Sequence, residues 1–167
     1  MASERSIIDD LYRDVIIDHS RHPHHFGEVE GADRKVEGYN PLCGDRITLF
    51  VNINGDDTDD CGDCQKRICD IGFTGNGCAI CHASASMMTD LVCGKSVEET
   101  LSMFELFHRV MMSPAMEEVS EKDLEKLGEA AALAGVRRLP MRVKCATLAW
   151  HALKEAIVDG EGRVSTE

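Results

Sequence analysis

The strongest constraint on this chain is its sulfur. Eight cysteines stand among 167 residues: Cys43, Cys61, Cys64, Cys69, Cys78, Cys81, Cys93 and Cys145. A small exported domain would use that number for disulfides. The opening residues, with Ser3, Glu4, Arg5, Asp9 and Asp10, do not read as an export signal. The expected compartment is therefore the reducing cytoplasm, where clustered cysteines point first to metal or sulfur chemistry. The charge balance narrows the partners. Eighteen basic against thirty acidic residues give a net charge of −12, whereas a nucleic-acid binder carries a basic footprint. An anionic membrane surface is equally disfavoured, and no run of about 18 apolar residues is present to span a bilayer. An acidic face suits a basic protein partner, or simply keeps the chain soluble.

Periodicity sets the elements. Ile8, Leu11, Tyr12, Val15, Ile16 and His19 recur at helical spacing over 5–20, with Pro23 just beyond. Residues 22–42 show little periodicity and read as a long loop. His22, His24 and His25 lie within it; such a triplet can bind metal, but it reads first as an exposed polar cluster suited to a partner-facing surface. Residues 46–53 alternate as a half-buried strand, and 67–74 form a second candidate with Cys69, Ile71 and Phe73 on one face. Helices are expected over about 78–93, 96–112, 120–134 and 143–158. Ser96 and Glu99 read as a capping box, and Pro140 suits a helix start. On the last helix Trp150 and His151 fall on the less apolar side. The expected fold is α+β: a small antiparallel sheet of about three strands packed by several helices. One domain over 1–167 is expected, with a Cys-rich hairpin at about 54–69 and a frayed tail at about 159–167.

Three cysteines can meet. Cys78 and Cys145 each fall at or within the first turn of a predicted helix, where the helix dipole favours thiolate. Cys43 lies in the loop Asn40-Pro41-Leu42-Cys43-Gly44-Asp45, and Gly44 lets Cys43 and Asp45 face one centre. Three thiolates and a carboxylate suit tetrahedral zinc, and Arg142 and Lys144 can offset its charge. The residues alone leave a second reading open, in which these are buried, inert thiols. They leave a third as well. Cys61-x2-Cys64 followed by Cys78-x2-Cys81 has the form of a zinc ribbon, with a gap slightly shorter than usual.

Three ordered blocks carry a resemblance: YNPLCGDR at 39–46, GNGCAICHASASMMT at 75–89 and LPMRVKCATLAW at 139–150. Together with LYRDVIIDHSRHPHHFG near the start, they resemble the NifU/IscU-type iron–sulfur cluster assembly family, with the zinc-dependent SufU branch nearest. The resemblance spans roughly 7–158. It implies Cys43, Asp45, Cys78 and Cys145 as metal ligands, Zn2+ as the metal, and Cys43 as the persulfide acceptor. It also implies partnership with a pyridoxal-phosphate, SufS-like cysteine desulfurase and a downstream cluster assembly scaffold. Lys144 stands where IscU-type scaffolds place a histidine, which favours the SufU branch. Arg142 would orient a ligand or screen charge around the metal.

Two alternatives remain. One is a scaffold holding iron or a [2Fe–2S] cluster on the same cysteines, and the other is a structural zinc-binding interaction module. The chain also departs from the pattern. Cys61 and Cys64 sit in the enlarged hairpin, and with Cys69 and Cys81, or His82, they can be drawn as a second metal site.

Overall fold

The chain runs through α1 (Glu4–Arg21), β1 (Arg34–Asn40), β2 (Asp45–Asn54), β3 (Arg67–Asn76), α2 (Ala79–Val92), α3 (Val97–Met112) and α4 (Glu121–Leu127). A 3-10 segment (Gly128–Arg138), α5 (Pro140–Val158) and β4 (Glu161–Ser165) follow. These come from a computed structural model that describes residues 4–54 and 66–165, and side chains for 12–53, 66–160 and 162–165. The strands form one sheet in the order β3-β2-β1-β4. β1, β2 and β3 are antiparallel, whereas β4 runs parallel to β1, with Lys35 opposite Glu161 and Tyr39 opposite Ser165. The sheet is therefore mixed and four-stranded, where three antiparallel strands were expected.

Both additional strands hide their period. In β1 the inward positions are Val36, Gly38 and Asn40, alternating with exposed Lys35, Glu37 and Tyr39. Only one of those three is an apolar side chain, so the segment reads as loop. Gly38 is there for space: a Cβ would stand 3.1 Å from Leu148 Cδ1. In the tail expected to fray, β4 has a single apolar residue, Val164, and is held by backbone pairing to β1. The Cys-rich hairpin lies mostly outside the described residues, and Cys61 and Cys64 with it.

β3 differs in detail. A bulge opposite Asn52 and Ile53 pairs Ile68 with Ile53 and Asp70 with Asn52, leaving Cys69 as the extra residue. Cys69 and Asp70 both face out, while Ile68, Ile71 and Phe73 are buried. Cys69 therefore does not share the face of Ile71 and Phe73.

α5 is the centre of the core. Cys145, Leu148, Ala149, Trp150, Ala152, Leu153 and Ala156 are all fully buried, as befits a helix covered on more than one side. Trp150 is no rim residue. It stacks on Phe107 of α3 at 4.3 Å and donates its indole N–H to Ser84 Oγ of α2 at 3.2 Å. The capping box of α3 forms as expected: Ser96 Oγ accepts from Glu99 N–H, and Glu99 accepts from Ser96 N–H. The helix expected over 120–134 breaks at Gly128, whose φ of +55° ends α4. The 3-10 segment then buries Ala130, Ala131, Ala132 and Leu133. No helix among the described residues is long and apolar enough to cross a membrane.

Candidate metal centre

Asn40 and Asp45 face each other across β1 and β2, so residues 41–44 form the hairpin tip. Gly44 adopts φ +72° and donates its N–H to Asn40 O at 2.8 Å. That left-handed residue closes the turn and leaves Cys43 half-buried at the tip, with Asp45 fully buried at the root. Cys78 is the N-cap of α2, and its Sγ accepts from Cys81 N–H at 3.4 Å. Asp45 ties the hairpin to that helix start. Its Oδ1 accepts from Cys78 N–H at 2.9 Å, and its Oδ2 lies 3.9 Å from Cys78 Sγ. Gly77 permits the approach, since a Cβ there would meet Asp45 Oδ1 and Cys81 Sγ at 3.1 Å each.

α5 supplies the third sulfur. Cys145 Sγ lies 3.3 Å from Cys43 Sγ. Cys43, Asp45 and Cys145 have donor atoms all within 4.8 Å of one another, and Cys78 joins them through Asp45. A tetrahedral zinc–thiolate centre holds its sulfurs about 3.8 Å apart, from Zn–S bonds near 2.3 Å. Two sulfurs and a carboxylate already lie at about this spacing, and Cys78, 3.9 Å from Asp45, completes a donor set that fits a borderline-soft divalent cation.

One expectation about Cys145 changes. Because α5 begins at Pro140, Cys145 sits in its second turn and gains little from the helix end. Without a cation its thiol is pushed up, by burial first and then by Asp45, Cys43 and Cys78 around it. The Arg142 guanidinium lies beside Cys145, Cys78 and Cys43, and these sulfurs raise its own pKa. Lys144 instead lines a surface cavity of about 510 Å3 with Thr147, His151 and Lys154.

Sequence reasoning missed Asn40. It is fully buried, donates from Nδ2 to Cys145 Sγ at 3.4 Å, and accepts Leu42 N–H on Oδ1 at 3.2 Å. An Asn followed by Pro at a turn is the signal that could have found it.

The model of NifU-like N-terminal domains matches residues 11–167. The chain belongs to this family. It is similar to the iron–sulfur cluster assembly scaffold protein IscU of Streptococcus pyogenes, 46% identical over 91% of this chain and 86% of that protein. It is also similar to the zinc-dependent sulfurtransferase SufU of Bacillus subtilis, 39% identical over 93% and 95% of the two chains. Among solved structures, the SUF-system scaffold protein from Fervidobacterium islandicum aligns with a TM-score of 0.71 at 33% identity, covering 86% of this chain and 94% of that one.

Within this NifU-like domain the other cysteines separate. Cys81 is fully buried beside Cys78, and its thiol is pushed up by burial and then by Asp45, Cys78 and Cys43. Cys69 sits at the far end of β3, bonded to Asn52 O at 3.3 Å. Asn52 is seven residues along β2 from Asp45, about 23 Å at strand rise. Cys69 and Cys81 therefore do not come together, and Cys61 and Cys64 lie outside the described residues. His82 keeps a buried Nε2 without a hydrogen-bond partner. The loop histidines are not simply solvated: His24 and His25 both reach Asp90.

Proposed function

We propose that the chain accepts sulfur from a cysteine desulfurase and relays it to iron–sulfur cluster assembly, with Cys43 as the acceptor. The observation that carries this reading is the convergence of Cys43, Asp45, Cys78 and Cys145 from a hairpin tip, a helix cap and a central helix. Those four side chains would hold Zn2+, and Asn40 and Arg142 would orient and screen Cys145. When bound, the cation keeps the sulfurs as thiolates and shields them from oxidation.

Their placement divides the roles. Cys145 is fully buried and Cys78 is fixed as a helix cap, whereas Cys43 is half-buried on a short turn. Leaving the centre therefore costs Cys43 the least backbone rearrangement. Its thiolate attacks the terminal sulfur of the desulfurase persulfide. A new S–S bond forms on Cys43, the donor S–S bond breaks, and the donor cysteine departs as thiolate. Sulfur moves without net oxidation, and Arg142, exposed beside the cluster, offsets the negative charge of the new persulfide.

A second reading is an assembly scaffold holding a [2Fe–2S] cluster on the same three cysteines, favoured by the name of the Streptococcus pyogenes relative. Lys144 favours the relay, because a lysine cannot take the ligand place of a histidine.

The test combines metal content with sulfur loading. Purified protein is expected to carry about one zinc and no iron per chain. With desulfurase and cysteine, the intact chain gains one sulfur atom by mass on the peptide holding Cys43. Cys43→Ser gains none, and in the metal-free chain it shifts stability by roughly 0–1 kcal/mol, because that side chain is only half-buried. Iron with acid-labile sulfide would select the scaffold. Sulfur loading that persists in Cys43→Ser would refute the assignment of the acceptor.

A further inference from the structure

Outside the thiol cluster, the densest group of metal-ligating side chains among the described residues lies at the other end of α2. His19, at the end of α1, is 2% exposed. Its Nδ1 is 2.7 Å from Ser86 Oγ, and its Nε2 touches Glu129 Oε2 of the 3-10 segment. The His24 ring sits 4.6 Å from the His19 ring, and its Nδ1 is 2.5 Å from Asp90 Oδ2. His25 Nε2 is 3.4 Å from the other Asp90 oxygen. The donor atoms of His19, His24 and Asp90 all lie within 4.8 Å of one another.

We infer that His19, His24 and Asp90, with Glu129 beside them, form a second site, for a divalent transition cation of the zinc class. Four features support it. Imidazole nitrogen and carboxylate oxygen are the donors such cations take when sulfur is absent. The Asp90 carboxylate offsets part of a divalent charge, and Glu129, against His19, adds a second negative charge nearby. Ser86 Oγ already accepts the His24 backbone N–H at 2.7 Å, and its second lone pair can accept His19 Nδ1–H. That bond holds the ring in place when a cation takes the position of the proton that His19 Nε2 shares with Glu129, as ligating histidines require. Finally, Asp90 is in the last turn of α2, which contains no basic residue, so the negative helix end and the carboxylate add to one another. A cation there offsets both.

The site is open to its ligand, because Asp90 and His24 are 40% and 49% exposed and Glu129 is 63% exposed. A tetrahedral zinc holds nitrogen and oxygen donors about 3.3 Å apart, within reach of side-chain rotation at these half-exposed positions. The inference stands apart from the sulfur relay. It uses none of the cysteines, and Asp90 is twelve residues along α2 from Cys78, about 18 Å at helical rise.

The test is a cobalt titration of the full-length, metal-stripped chain under reducing conditions. Thiolate-bound Co2+ shows strong ligand-to-metal charge transfer in the near ultraviolet, whereas nitrogen- and oxygen-bound Co2+ shows only weak visible bands. The intact chain is expected to take one equivalent of the second kind. His24→Ala and Asp90→Asn should each weaken it at least tenfold, while Cys61→Ser/Cys64→Ser should leave it unchanged. Far-ultraviolet circular dichroism confirms that each variant is folded. Absence of an equivalent without charge transfer in the intact chain overturns the inference. So does less than tenfold weakening in the two site variants, or loss of the equivalent with Cys61 and Cys64. Failure of the thiol centre reads out separately, as missing charge transfer.

Discussion

The two ends of α2 hold opposite kinds of polar cluster. At the N-terminus, Cys78 caps the helix and meets Cys43, Asp45 and Cys145. At the C-terminus, Asp90 meets His24 and His25, and the tilted His24 ring packs against His19. The first cluster is soft and largely buried, with Asp45 1% and Cys145 0% exposed. The second is hard and open, with one buried member. Burial has different consequences at each end. Dry thiols without a cation are held protonated, as burial does to Cys145 and Cys81. The histidine end is paired with carboxylate and hydroxyl partners, so it holds together without a cation and needs only side-chain rotation to take one. The thiols thus need a positive partner to ionise, whereas the histidine end is already paired.

The largest expected effect breaks the thiol end alone. Gly75 lies opposite Ile47 on β3 at φ +142°, and a Cβ would stand 2.0 Å from Arg46 O. Gly75→Ala must move the strand pair that carries Asp45. Destabilisation of about 3–4 kcal/mol is expected, read from the denaturant midpoint. A smaller effect follows at Asn40. Asn40→Ala leaves Leu42 N–H and Cys145 Sγ without their buried partner, at a cost of about 1–3 kcal/mol. In this variant a chelator should also strip metal from the thiol end faster than from the intact chain, while the cobalt affinity of the histidine end is unchanged. If Asn40→Ala altered both ends equally, the two clusters would not be independent.

How much of this was legible in the sequence differs by region, for physical reasons. The thiol cluster was legible because its side chains are chemically rare and each is attached to a recognisable backbone signal: a Gly-containing turn, a helix start, a helix face. Its supporting residue Asn40 was not, since a buried Asn at a strand end looks like an ordinary turn residue. β1 was hidden because Gly38 and Asn40 fill inward positions where the alternation rule looks for apolar side chains. β4 was hidden because its stability is borrowed from β1 by pairing, which a local pattern does not encode. Cys69 was assigned to the wrong face because one bulge reverses the period of two. At the histidine end, the loop composition was visible but its partner Asp90 is 66 residues from His24. Only the packing of α1 against α2 brings them together.

The smallest effect sharpens the comparison most. His25 is a non-glycine residue at φ +56°. Its carbonyl accepts Phe73 N–H at 3.1 Å, so the turn is fixed by the sheet beside it. The side chain and the backbone of His25 therefore have separable roles. His25→Gly removes left-handed strain of about 1–2 kcal/mol and adds unfolded-state entropy of about 0.5–1 kcal/mol. It also deletes a half-exposed contact to Asp90 worth about 0–1 kcal/mol. These terms nearly cancel, and stability should change by less than about 1 kcal/mol in thermal or chemical unfolding. Cobalt affinity at the histidine end should stay within a few-fold, since His19, His24, Asp90 and the turn are all retained. A loss as large as that in His24→Ala would make His25 a ligand alongside His24, and would turn the αL residue from a feature of the turn into one that aims a donor.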